Sequence, residues 1–171
     1  MPDFEYQTPF ASGLKLSHTL RANRKTAILF LRYYGCPICQ LDIQEIAQNY
    51  DQIVAEDTAI LIVLQSSPDK LAAQLSLGEL PFDIICDPNG ALYSMLGIGK
   101  ASATLGMLDF KTVGKIVKSS ARGIKHGDYE GEELQLPALF VANREGQLLH
   151  VHYGKSAGDI PDSSQLAALL L

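Results

Sequence analysis

Thr26 to Arg32 carries an unbroken apolar stretch, Ala-Ile-Leu-Phe-Leu, that ends at Tyr33-Tyr34-Gly35, and Ala59 to Leu64 repeats the pattern. Runs this short and continuous predict strands buried on both faces. Between them the rhythm changes. Apolar side chains fall at Cys39, Ile43, Ile46, Ala47, Tyr50, Ile53 and Val54, one stripe of an amphipathic helix. Pro37 supports a helix start there, because a proline in the first turn forfeits no intrahelical hydrogen bond. Strand, helix and strand in this order predict a βαβ unit with parallel strands.

Shorter elements surround this unit. Residues 4–17 read as a hairpin or extended arm turning at Ser12-Gly13, and Ser17 to Arg24 as a helical turn. Ser67 is placed to cap a helix over Pro68 to Leu77. Phe82 to Cys86 predicts a strand, and Asp87-Pro88-Asn89-Gly90 a turn that opens a helix near Ala91 to Leu96. Strands at Leu139–Ala142 and Leu148–His152 flank the hairpin signal Asn143-Arg144-Glu145-Gly146. Ser163 or Ser164 can cap a last helix over Gln165 to Leu171. From Gly99 to Gly127 the pattern is weakest, but Lys111, Lys115, Lys118, Arg122 and Lys125 step by four and three and so share one helical face. Such a face is ordinarily a solvated surface; the other reading is a patch that steers an acidic partner. No repeat or low-complexity linker divides the chain, so residues 1–171 are expected to form one domain.

With 171 residues, 47% of them apolar and 19% charged, the chain has material for a real core, which excludes a disordered tail or a collagen-like fibre. A net charge of -5 argues against a nucleic-acid partner. No apolar window is long enough to span a membrane, and Asp3 and Glu5 interrupt any secretory leader, so a cytoplasmic location is expected. The three cysteines, Cys36, Cys39 and Cys86, are too few for a disulfide framework.

Cys36 and Cys39 form a Cys-x-x-Cys pair at the first strand-to-helix turn. Three readings compete. In the redox reading, the unpaired N–H groups and the dipole at a helix N-terminus favour a Cys36 thiolate, and a second thiol three residues on can resolve a mixed disulfide or a sulfenic acid. A zinc site would need four ligands, and no second Cys-x-x-Cys exists. The third reading is two small buried apolar side chains. The strand–turn–helix context decides for redox. Cys86 reads as a packed thiol, and His150 and His152 lack a third ligand, so no metal or other cofactor is expected. His126, beside a glycine, reads as solvent-facing.

This order of strand, Cys-x-x-Cys, helix, strand and a late hairpin behind Pro137 resembles the thioredoxin fold. That implies an α/β architecture with a central mixed sheet flanked by helices, here with an N-terminal hairpin and an insertion before the third core strand. Pro137 matches the proline that is cis in thioredoxins, where backbone beside the thiols pairs with substrate; Tyr34 and Gly35 stand where that fold also meets its substrate. The segments Ser66-Ser67-Pro68-Asp69, Leu80-Pro81-Phe82-Asp83-Ile84-Ile85-Cys86-Asp87-Pro88-Asn89-Gly90 and Leu92-Tyr93-Ser94-Met95-Leu96-Gly97 are similar to the middle of peroxiredoxins. Gly35-Cys36-Pro37-Ile38-Cys39 resembles the alkyl hydroperoxide reductase/thiol-specific antioxidant group in particular.

Departures accompany the resemblance. Superposed on typical peroxiredoxins, Cys39 falls on the attacking cysteine and Cys36 on the threonine before it, whereas helix-end physics points to Cys36 as the nucleophile. The arginine that precedes the third core strand in that family is replaced by Pro137, leaving Arg32 and Arg122 as candidates for its place. Phe30 occupies the position of thioredoxin's buried aspartate; Asp42 and Glu45 are stand-ins for that base or simply complements of the helix dipole. The resemblance implies an antioxidant oxidoreductase that reduces a hydroperoxide or related oxidant through a Cys36/Cys39 dithiol–disulfide cycle. Its partners would be a small oxidant or a protein disulfide, an external thiol reductant system and a second copy in a homodimer. Alternatives are a protein thiol–disulfide oxidoreductase and a binding or redox-sensing protein without turnover.

Overall fold

The computed structural model describes Met1–Leu171. An N-terminal hairpin pairs β1 (Glu5–Tyr6) with β2 (Leu14–Lys15) and leads into α1 (Leu16–Ala22) and β3 (Lys25–Phe30). From Thr26 to Phe30, β3 shows no solvent exposure, as its unbroken apolar run requires of a central strand. The helical stripe that follows is shared between α2 (Pro37–Gln48) and α3 (Tyr50–Ile53) and is not one continuous helix. Asn49 breaks it, its side-chain amide donating to the Glu45 carbonyl at 2.7 Å.

The chain then returns through β4 (Thr58–Leu64), parallel to β3, the short α4 (Pro68–Ala72), and β5 (Asp83–Cys86), parallel to β4. Ser67 caps α4 as expected, accepting from the Lys70 amide. Asp87 anchors the next helix, α5 (Ala91–Met95), by accepting from the Ala91 and Leu92 amides. Beyond a 3-10 turn at Thr104–Met107 come α6 (Phe110–Ala121), β6 (Ala138–Asn143), β7 (Leu148–Tyr153) and α7 (Ser163–Leu170). The last helix is capped by Asp162, not by Ser163 or Ser164: its carboxylate accepts from the Gln165 amide at 2.9 Å while Gln165 accepts from the Asp162 amide at 3.0 Å. That reciprocal pair satisfies two N-terminal amides, where a serine one residue later would satisfy one.

Antiparallel pairing of β6 with β3, and of β7 with β6, completes a mixed five-stranded sheet in the order β5-β4-β3-β6-β7. This is the thioredoxin-like arrangement, with the hairpin before it and residues 87–137 inserted ahead of β6. One face of the sheet packs Leu29, Ile62 and Leu139 against Ile43, Ile46 and Leu166. The other packs Ile28, Phe30 and Phe140 against Leu16 and Tyr93. Phe30 meets Tyr93 and Phe140 edge to face, with ring centroids 5.1 and 5.7 Å away, so the site of thioredoxin's aspartate belongs to an aromatic core.

One expectation is corrected and another refined. The Leu136–Pro137 peptide bond is trans, and Pro137 is buried with its carbonyl taken by the Gly154 amide at 2.8 Å. The basic stripe is largely a solvated surface, with Lys111, Lys118, Arg122 and Lys125 exposed, but three of its cations also reach acids on α2. Lys115, the most buried of them, meets Asp42 at 2.7 Å, Lys118 meets Glu45 at 2.5 Å, and Arg122 meets Glu45 at 3.2 Å. The apolar residues Phe110, Val113 and Val117 are exposed as well. No helix is long and apolar enough to cross a membrane.

Candidate redox site

The end of β3 and the start of α2 bring four consecutive chemistries together: Arg32, Tyr33, the Tyr34–Gly35 turn and Cys36. Cys36 is the N-cap of α2, and its sulfur accepts from the Cys39 amide at 3.5 Å. An otherwise orphaned helix N–H thus points at this sulfur, which favours negative charge there. Arg32 Nη2 donates to Cys36 Sγ at 2.9 Å, and the Arg32 backbone amide donates to Cys39 Sγ at 3.4 Å. All three cysteines are free thiols, and Cys36 and Cys39 are buried.

These neighbours split the two thiols. A hydrogen bond from the Cys39 thiol lowers the Cys36 pKa, burial opposes it, and the Arg32 guanidinium lowers it further, to about 6. Cys39 moves the other way, held well above its usual range by burial and by the negative sulfur of Cys36. The split favours the thiolate on Cys36 and keeps the proton on Cys39 beside it. Burial works against the charge on Arg32, but the two sulfurs more than offset it and hold the guanidinium charged. Burial alone pushes Cys86 up to about 12.

Arg32 is held from a distant part of the chain. Its Nη1 donates to the Glu133 carbonyl at 2.7 Å and lies 3.8 Å from the Glu133 carboxylate. Tyr33, fully buried, donates its hydroxyl to that carboxylate and meets His126 Nε2 at 3.1 Å. Burial first, and Glu133 second, raise the tyrosine's pKa, so it stays a proton donor. His126 stacks on Tyr129 with centroids 4.2 Å apart. Residues 126–133 thus form a strap across the thiol turn. The Gly127 amide donates to the Gly35 carbonyl at 2.8 Å, and any Cβ on Gly35 would run into the backbone of Gly127 and Asp128.

Of the residues singled out from sequence, Cys36, Cys39, Tyr34 and Gly35 lie together. Gly35 is buried under the strap, and Tyr34 is half-buried with its amide donating to Ser66 Oγ at 3.0 Å. Pro137 immediately precedes β6, whose Ala138 pairs with Phe30 at the end of β3; Arg32 reaches the thiols, whereas Arg122 is engaged by Glu45. Asp42 and Glu45 do not complement the dipole, since α2 has no acid in its first turn. Asp42 is buried, and that burial, only partly offset by Lys115, raises its pKa to about 6. Sequence reasoning missed Tyr33, Glu133 and Gln65; His126 is exposed, as expected, and only its contact with Tyr33 was unforeseen. Residues about a hundred positions apart leave no local periodicity to read, and the one available hint is the glycine at 35 beside the glycines at 127 and 131. No cluster of three or more His, Cys, Asp or Glu side chains converges to hold a metal ion.

Comparison with known proteins agrees with this architecture. The prostamide/prostaglandin F synthase of Aquarana catesbeiana is 25% identical over 158 residues, covering 88% of this chain and 77% of that one. Among solved structures, the peroxidoxin BcpB of Mycobacterium tuberculosis superposes with a TM-score of 0.66 at 13% identity, covering 100% of this chain and 96% of that one. The yeast mitochondrial 1-Cys peroxiredoxin gives 0.64 at 11% identity, with coverage of 98% and 71%. At such identities the structural likenesses carry the fold, while the AhpC/TSA family matches residues 1–151 and so spans the thiol turn, the strap and the late hairpin. The chain belongs to the AhpC/TSA family, which makes it a thiol oxidoreductase or peroxidase.

Proposed function

We propose that this protein reduces hydroperoxides with Cys36 as the attacking thiolate and Cys39 as the resolving thiol. The observation that carries the reading is the Arg32 guanidinium 2.9 Å from Cys36 Sγ, at a helix N-terminus. A cation there holds the thiolate and stands ready to receive charge on the departing oxygen. The Cys36 thiolate attacks the terminal oxygen of R–O–O–H. The O–O bond breaks, ROH leaves after taking up a proton, and Cys36 becomes a sulfenic acid. The Cys39 sulfur then displaces hydroxide, which leaves as water with the proton that Cys39 gives up, and a Cys36–Cys39 disulfide forms. Two electrons from an external dithiol, or from two glutathione-type thiols, restore the pair. Cys36 has no exposed surface in the closed form, so oxidant reaches it when the strap lifts.

Protein disulfide exchange is the second reading, favoured by Pro137 and by the missing threonine and arginine of typical peroxiredoxins. Pro137 is trans and buried and Arg32 sits on the sulfur, which weakens two of these supports; the threonine's place is still taken by Cys36. Stopped-flow oxidation of the reduced protein by hydrogen peroxide, by a bulky organic hydroperoxide and by a small disulfide separates the two chemistries. Oxidation by a hydroperoxide is expected to be faster than for free cysteine by a factor of about 100 or more, the range of one well-placed electrostatic contact. A peroxide rate no better than free thiol, with fast disulfide exchange, overturns the peroxidase reading. Mass mapping after one equivalent of peroxide should find sulfenic acid on Cys36 in the Cys39→Ser variant and none on Cys39 in the Cys36→Ser variant.

A further inference from the structure

Arg32 gives one nitrogen to the Cys36 sulfur and the other to the backbone carbonyl of Glu133, in the strap. Besides its contacts with Tyr33 and Gly35, the strap is held by a buried side chain. Gln65, just past β4 and almost wholly buried, accepts from the Glu132 amide at 2.7 Å through its side-chain oxygen. Its side-chain nitrogen donates to Gln135 at 3.2 Å, and Gln135 in turn donates to the carbonyl of Gly99 at 2.9 Å. The strap approaches Gln65 so closely that a Cβ on Gly131 would lie 2.7 Å from the Gln65 Cβ. A further tie runs from the backbone: the Gln65 amide donates to the Arg32 carbonyl at 2.7 Å. One uncharged residue therefore joins the two, its backbone tied to the residue that grips the thiolate and its side chain to the segment that steadies that grip.

We propose that Gln65 is a positioning residue for the thiol site, setting the placement of the Arg32 guanidinium on Cys36 through residues 131–135. The role rests on the reading of Cys36 as the reactive thiolate. Gln65 acts by hydrogen-bond geometry alone, since it brings no charge to the site. The charged and titratable groups around the sulfur are Arg32, Cys39, Tyr33, Glu133 and, further along α2, Asp42. None is altered when Gln65 is replaced.

The test perturbs the contact from both sides. Gln65→Met keeps volume and removes both hydrogen bonds; Gly131→Ala keeps Gln65 and pushes the strap off it. In each, folding is checked by circular dichroism, and thiolate absorbance at 240 nm is followed against pH in the Cys39→Ser background, with Cys36→Ser as the blank. The Cys36 titration midpoint is expected to rise by about one pH unit in both variants, as the guanidinium loses its fixed place. Hydrogen exchange gives a second measurement with Gln65 and Gly131 left intact. Linkage is reciprocal, so the Glu132 and Gly127 amides should exchange several-fold faster in Cys36→Ser than in wild type at the same pH. A merely structural glutamine would lower the melting temperature and leave the midpoint in place. The proposal fails if the midpoint stays put while the Glu132 amide has lost its protection, or if Cys36→Ser leaves strap exchange unchanged. Because ionisation and exchange need no turnover, both readouts still decide the matter if hydroperoxides prove not to be the substrate.

Discussion

Arginine at position 32 does two tasks that a lysine cannot combine. Its planar fork spans the Glu133 carbonyl at 2.7 Å and the Cys36 sulfur at 2.9 Å, where an ammonium would offer one mobile point of charge. Arg32→Lys should therefore raise the Cys36 titration midpoint modestly. Arg32→Met should raise it by one to two units or so, the ordinary effect of removing an opposite charge at contact distance. Rates of peroxide oxidation, measured at pH 7 and again at pH 9, check the assignment. In Arg32→Met a slow rate at pH 7 should recover partly at pH 9, because the higher pH restores the thiolate but not the oxyanion's partner. Full recovery would reduce Arg32 to a pKa device; no recovery would make it purely a transition-state contact. The Cys-x-x-Cys pair was legible because thiolate formation at a helix start depends on neighbours in sequence. Arg32 stood in view only as one of two candidates, since what selects it over Arg122 is Glu133, 101 residues further on, and Glu45, which occupies Arg122.

At the level of elements, periodicity identified the βαβ unit, α4 with its serine cap and the late hairpin, all of which are set by local spacing. The basic stripe of α6 was also visible as a stripe. Its ion pairs were not, because they need acids on a second helix, and Asp42 and Glu45 read from sequence as dipole complements or catalytic bases. These pairs make the α2–α6 contact depend on charge. Lys115 meets Asp42 with both side chains largely buried, so Lys115→Met leaves an unpaired carboxylate in the interior. Urea denaturation at pH 7.5 should show a loss of about 3 kcal/mol for this single change. The double variant Asp42→Leu/Lys115→Met should recover most of it, since a buried pair replaced by apolar side chains is often neutral. A single-variant loss below half a kcal/mol or so would mean that Asp42 already carries a proton in the fold.

The whole molecule should report the thiolate through its stability. Unfolded, Cys36 has an ordinary thiol pKa near 8.5; folded, it titrates at about 6. An acid whose folded pKa is depressed contributes stability above its unfolded pKa and loses it as pH falls through the folded one. Between pH 6 and 8 the unfolded chain holds the Cys36 proton while the folded chain has released it, so the free energy of unfolding rises with pH. Of the neighbouring groups with shifted values, Asp42 and Cys39 act nearest this window, one at its lower edge and one above it. Asp42, raised to about 6 by burial, costs stability as pH climbs from about 4 to 6. Cys39, raised well above its usual range, costs stability only above the unfolded thiol value. Wild type should therefore gain about 2 kcal/mol from pH 6 to 8, in urea melts at fixed ionic strength, relative to Cys36→Ser. Covalent oxidation to the Cys36–Cys39 disulfide should abolish the same slope, because no sulfur is left to ionise. A slope that survives in Cys36→Ser would place the titrating group elsewhere, and with it the charge that holds Arg32 and the strap over the turn.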